Sequence, residues 1–312
     1  MPQVLRIAAA VAVSAGLYAG TLAVAPAATP LLLLVPLPGL ILATRPSSTE
    51  CGLWFFLTAS VVTVAIGSSA APGFALPFGL PVLALAVGIR RGWPFEGTVL
   101  GGVLAWCIGI AALALLAYGD PAAVIATARE QVSHSVELAL ATYGSLGVSE
   151  SAVNAMEAER DLLVNGLVEI LPALVALTGG LIVVVNLMML RTWTGVARNV
   201  NLRLWRTPDS LIWALIVTGF AMFFPVDPVG LVARNVFLVL LGCYFCQGLA
   251  IVSFYLERLR LPRGIRIAGY VLIALQHIVA AMVLALGVFD LWGNFRRLNA
   301  GPADLGLPGD GE

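Results

Sequence analysis

The chain has 312 residues, of which 60% are hydrophobic and only 11% charged, and its mean hydropathy is +0.98. Its seventeen basic residues are all arginine and are balanced by seventeen acidic ones, so no basic face for nucleic acid is implied. A soluble core of this size has no use for so much apolar surface, whereas roughly 20 consecutive apolar residues cross a bilayer as a helix that satisfies its own backbone. The expectation is an all-α integral membrane protein.

Apolar segments run at 4–24, 29–44, 52–69, 73–90, 97–118, 167–190, 210–226, 231–256 and 265–291, about nine spans, with eight or ten also compatible. They divide into an N-terminal five-helix membrane region (1–118), an extracytoplasmic helical loop (119–165) and a C-terminal membrane region with a short polar tail (166–312). Arg6 ahead of an Ala-rich run could mark a signal peptide, but the segment serves equally as a first helix.

Two spans are broken by proline. The second holds Pro36, Pro38 and Gly39 and ends at Arg45; the fourth holds Pro77, Gly79 and Pro81 and ends at Arg90. A shift of 45 residues superposes Pro36 on Pro81 and Arg45 on Arg90, which suggests a two-helix repeat. Proline removes a backbone hydrogen bond and kinks a helix, and paired interruptions of this kind point to transporter sites; ordinary packing kinks are the alternative.

The segment from Asp120 to Asn165 is acidic, with apolar residues at near-helical spacing in its first half and Ser149 ahead of a second apolar run. Two short helices on or above the membrane are expected. His134 lies in the first, with no second His or Cys nearby to complete a metal site. Cys243 and Cys246 form a C-x-x-C well inside a span, where small residues packing against a neighbour is the reading favoured over a redox pair.

With the N-terminus cytoplasmic, twelve arginines fall inside (Arg6, Arg45, Arg90, Arg91, Arg191, Arg198, Arg203, Arg206, Arg258, Arg260, Arg263, Arg266) and five outside (Arg129, Arg160, Arg234, Arg296, Arg297). The adjacent pair Arg296-Arg297 dissents, because nine spans put the C-terminus outside.

Ionisable groups in spans are functional hypotheses by default. Glu169, Arg234 and Asp290, joined by Asn235 and Asn294, are expected at similar depth near the outer face, either as a structural ion-pair staple or as the wall of a ligand site. Gln247 lies eleven residues before Arg258 and His277 eleven after Arg266, so at ~1.5 Å per residue the two reach the same depth from the cytoplasmic side and are expected to hydrogen-bond across the antiparallel eighth and ninth helices. No P-loop, no H-E-x-x-H, no Gly-x-Ser-x-Gly and no paired catalytic carboxylates occur, which argues against an enzyme; no metal or cofactor is expected.

The motifs Asn186–Trp193, Thr207-Pro208-Asp209 through Trp213, Cys246-Gln247-Gly248 through Phe254, and Gly287–Arg297 resemble the YybS-like family of uncharacterised bacterial polytopic membrane proteins. The resemblance implies the bacterial cytoplasmic (inner) membrane and a distant similarity to substrate-binding components of energy-coupling-factor transporters. Two readings follow: a small-solute binding or transport component, or a non-catalytic scaffold that binds another membrane protein or a second copy. Membrane lipids are the partner common to both.

Overall fold

The computed structural model describes residues 2–23, 29–45, 49–195, 205–224, 228–293 and 295–296. Among these residues every regular element is helical, and the chain divides into two compact units, Met1–Arg198 and Asn199–Glu312.

The first unit holds α1 (Gln3–Ala23), α2 (Thr29–Leu32), α3 (Leu37–Ala43), α4 (Thr49–Ile66), α5 (Ala70–Phe74), a π-turn (Ala75–Gly79) and α6 (Leu80–Arg90). It continues with α7 (Phe95–Tyr118), α8 (Pro121–Ser145), α9 (Glu150–Ala158) and α10 (Arg160–Thr194). The two proline-rich segments differ in backbone. Residues 33–36 form turns between α2 and α3, whereas α5 runs into α6 through the π-turn, where Leu80 N bonds back five residues to Ala75 O. Pro77 and Pro81 have no N–H to give to the carbonyls four residues earlier, which is the kind of fault that a widened turn accommodates.

Side chains from other helices take up carbonyls at the turns. Ser14 Oγ donates to Val35 O at 3.1 Å and receives Trp54 Nε1 at 3.2 Å, while Asn186 Nδ2 donates to Leu33 O at 2.6 Å and to Ile182 O at 2.7 Å. An open carbonyl in an apolar interior costs several kcal/mol, so these donors are what lets a non-helical stretch persist there. Around them runs an edge-to-face chain of rings: Trp54 on Phe74 (centroids 5.8 Å), Phe74 on Tyr18 (5.8 Å), Tyr18 on Phe78 (5.9 Å) and Phe78 on Trp106 (5.7 Å). Gly39 meets the Trp54 ring and Gly109 the Leu76 carbonyl so closely that neither has room for a Cβ.

The segment 120–165 is more helical than expected. α7 ends on Gly119 at φ 87°, and the Asp120 carboxylate then caps α8 by accepting Ala122 N at 2.7 Å and Ala123 N at 2.9 Å. α8 has 25 residues, and α10 begins at Arg160, ahead of the expected span, and runs for 35 residues. At ~1.5 Å per residue that exceeds the roughly 30 Å hydrocarbon core, so α10 also reaches beyond the membrane.

The second unit holds α11 (Leu211–Ala221), α12 (Val229–Arg258), α13 (Arg263–Leu275) and α14 (His277–Gly293). α11 and α14 share an apolar cluster with α12 around Leu215, Leu240 and Tyr244. α14 crosses α12 in close contact at Gly248 and Gly287, where added Cβ atoms would collide with the carbonyl oxygens of Val283 and Tyr244. The expected ninth span, 265–291, is not one straight helix. α13 and α14 are bent by 101° about Gln276, whose backbone is extended (φ −107°, ψ 104°). Tyr255, three residues before the end of α12, donates its hydroxyl to Phe295 O at 2.7 Å. The chain thus leaves α12 at Arg258, and Phe295, just after α14, lies beside Tyr255 near that same end of α12.

Among the described residues six helices are long and apolar enough to cross a membrane, or up to seven if the bent pair counts as one: α1, α4, 70–90, α7, α10 and α12. The nine expected segments exceed this because Pro30–Ala43 and Leu211–Ala221 are shorter apolar helices and the last segment is bent.

Candidate functional site

The second unit contains a buried polar centre. α12 supplies Gln247, α14 supplies Asp290, the non-helical stretch before α11 supplies Thr207, and Arg296 follows α14. Gln247, Asp290 and Arg296 are each 1% exposed and Thr207 5%. Asp290 Oδ2 accepts Arg296 Nη2 at 2.8 Å and Gln247 Nε2 at 3.0 Å, while Oδ1 accepts Phe295 N at 3.0 Å. Gln247 Oε1 accepts both the backbone N (3.0 Å) and the hydroxyl of Thr207. Arg296 Nη1 donates to Trp205 O at 2.8 Å, and Arg206 Nη2 to Leu291 O at 3.3 Å.

The Asp290–Arg296 pair is formally neutral, and Gln247 relays it to the backbone ahead of α11. Burial excludes water, so each group depends on the others: an isolated charge here would be far more costly than the pair. Both Asp290 oxygens are already hydrogen-bonded, so the arrangement as it stands clamps three segments together.

A second polar group lies in the first unit. Glu50 is 3% exposed and pairs through Oε1 with Arg6 at 3.0 Å, and Arg90 donates to Ala43 O at 3.2 Å and Arg45 O at 3.4 Å, tying α6 to the end of α3.

Of the residues singled out in the sequence, Gln247 and Asp290 come together. Gln247 does not pair with His277, which is exposed at the head of α14. The equal-depth argument assumed a straight helix from Arg266, and the bend at Gln276 defeats it. Asp290 pairs with Arg296 rather than with Arg234 for the same reason: after the bend, the end of α14 lies beside Gln247 and Tyr255 of α12. Arg234 and Asn235 lie in the first two turns of α12, where Arg234 Nε donates to Gly230 O at 3.2 Å and Asn235 Nδ2 to Leu231 O at 2.9 Å. Glu169 lies half-buried on α10 in the other unit, and Asn294 falls outside the described residues. Arg296 and Thr207 were missed as site residues because they read as tail and loop. The one available signal was the misfit of Arg296-Arg297 with an outer C-terminus.

A family profile described as "Predicted membrane protein (DUF2232)" matches residues 10–291. The chain belongs to the DUF2232 family of predicted membrane proteins. The match includes Thr207, Gln247 and Asp290, and it stops five residues before Arg296. No curated protein and no solved structure matches the chain. The family description and the apolar helices together make this DUF2232 chain a membrane-embedded protein.

Proposed function

We propose that the chain is a small-solute binding or transport component of the bacterial cytoplasmic membrane, non-catalytic and with its N-terminus inside. The observation that carries the reading is the buried Asp290–Arg296 pair at the base of a bent helix pair, braced by Gln247 and by the non-helical backbone of Thr207. Charged side chains within membrane segments mark solute or ion pathways, and discontinuous helices beside them are the usual architecture of transporter sites. The resemblance to the YybS-like family, and through it to the binding components of energy-coupling-factor transporters, points the same way.

The orientation rests on arginine. Returning α13–α14 to the α12 end moves Arg296 and Arg297 from the outer set to the inner one, giving fourteen (twelve plus two) against three (five minus two). The span count then becomes eight crossings, with Pro30–Ala43 and Leu211–Ala221 as short ones, plus one re-entrant pair.

The test is a melting-temperature screen of the purified full chain against panels of vitamins, amino acids, nucleosides and organic anions. A solute that raises the melting temperature of the wild type, and does so less for Gln247→Leu, supports the reading. A chain that responds to no solute and copurifies with a stoichiometric membrane partner overturns it in favour of a scaffold, the reading favoured by the internal hydrogen bonds that both Asp290 oxygens already accept.

A further inference from the structure

The turn joining α12 to α13 concentrates charge of one sign. Arg258, Arg260, Arg263 and Arg266 fall within nine residues, and after Glu257 no acidic residue follows until Asp290. Arg258, Arg260 and Arg263 are exposed, and among the described residues none of the three forms an ion pair. The turn is well tied. Leu259 N bonds to Tyr255 O at 2.9 Å, Arg260 N to Glu257 O at 2.7 Å and Leu261 N to Leu256 O at 3.3 Å, while Arg266 Nε folds back onto Leu261 O at 2.9 Å. Arg260 sits at φ 49°, a left-handed conformation that costs a non-glycine residue energy, and its side chain is exposed.

Large apolar side chains interleave with these arginines. Leu259 is 65% exposed, Ile265 53% and Ile267 64%, and Ile273 is the one residue of α13 that is buried. An acidic protein partner would match the charge and leave this apolar surface against polar residues. A free anion would do the same. A phospholipid offers phosphate and hydrocarbon side by side.

We propose that the α12–α13 turn binds anionic phospholipids, the guanidiniums of Arg258, Arg260 and Arg263 taking headgroup phosphates while Leu259, Ile265 and Ile267 lie against the acyl chains. Arginine suits this role because its planar fork donates two hydrogen bonds to one phosphate and stays charged at any working pH. Basic residues next to an anionic membrane surface contribute about 1 kcal/mol each, so each arginine is expected to be worth roughly fivefold in apparent affinity and the three together on the order of 100-fold.

Phosphatidylglycerol, phosphatidylcholine and inorganic phosphate are titrated separately into the delipidated, detergent-solubilised full chain, with retained lipid read by native mass spectrometry and stability by melting temperature. Phosphatidylglycerol is expected to be retained and to raise the melting temperature, with no response to the other two. R258Q/R260Q/R263Q should lose that response by on the order of 100-fold, and the single change R263Q, which keeps the fold intact if the triple variant does not, by roughly fivefold. R91Q, which removes an exposed arginine elsewhere, should leave it unchanged. An equal response to phosphatidylcholine, reproduction of the effect by inorganic phosphate, or equal losses in R91Q and R263Q would each overturn the assignment.

Discussion

Arg296→Ala tests whether the polar centre is a coupled unit. Arg296 and Asp290 are held at 2.8 Å with side chains 0% and 2% exposed, so removing the cation leaves a carboxylate with only Gln247 and Phe295 N for compensation. Breaking a buried pair from one side typically costs ~3–5 kcal/mol, against about 1 kcal/mol or less for an exposed one. At roughly 2–4 °C per kcal/mol, the expected loss in melting temperature is on the order of 10 °C. The comparison is Arg160→Ala, whose partner Glu137 is 55% exposed, and there the loss should be a few degrees at most. The combined change Arg296→Ala with Asp290→Ala removes both charges and should recover part of the loss, leaving a coupling of ~2–3 kcal/mol in the cycle. The assay is dye-monitored unfolding of detergent-solubilised protein, all variants in one detergent at one pH. Strictly additive losses, or a loss no larger than that of Arg160→Ala, would refute the claim that the two groups depend on each other.

Further outcomes follow from the packing. Gly287→Leu should abolish monodisperse protein, because a Cβ there already collides with the Tyr244 carbonyl, whereas Gly180→Leu, with nothing within 4 Å of its Cβ position, should cost little; size-exclusion chromatography separates the two. Asn186→Leu removes the donor to Leu33 O and is expected to cost ~1–3 kcal/mol in the same unfolding assay, more than the exposed change Ser60→Ala. In a cysteine-free background, Ser149→Cys should react with an impermeant thiol reagent added from outside, while Leu259→Cys and Gly309→Cys should react only after permeabilisation. Labelling of Gly309→Cys together with Ser149→Cys would show that α13–α14 crosses the membrane instead of returning.

The helical class was legible because it depends on composition and on run length, which every residue reports. The helical character of 120–165 was legible in the near-helical spacing of its apolar residues, whereas the Asp120 cap ahead of Pro121 was not singled out. The bend at Gln276 was not. Residues 265–291 hold no proline and are apolar apart from Arg266, Gln276, His277 and Asp290, and glycines such as Gly269 and Gly287 are too common in membrane helices to mark a break. The polar pair Gln276-His277 is the one local mark at the bend, and its His277 was read as a hydrogen-bond partner; the contact of α14 with α12 at Gly248 and Gly287, 39 positions apart, is not visible in local sequence. Two errors followed from the bend. His277 was assigned the depth that a straight helix would give it, and Asp290 was placed near Arg234 when its partner is six residues away in sequence. The correct partner carried one visible mark, the arginine pair that disagreed with an outer C-terminus. Charge bias integrates over the whole topology while hydropathy reads each segment alone, so a conflict between the two was evidence that one of the nine segments does not cross as a simple span.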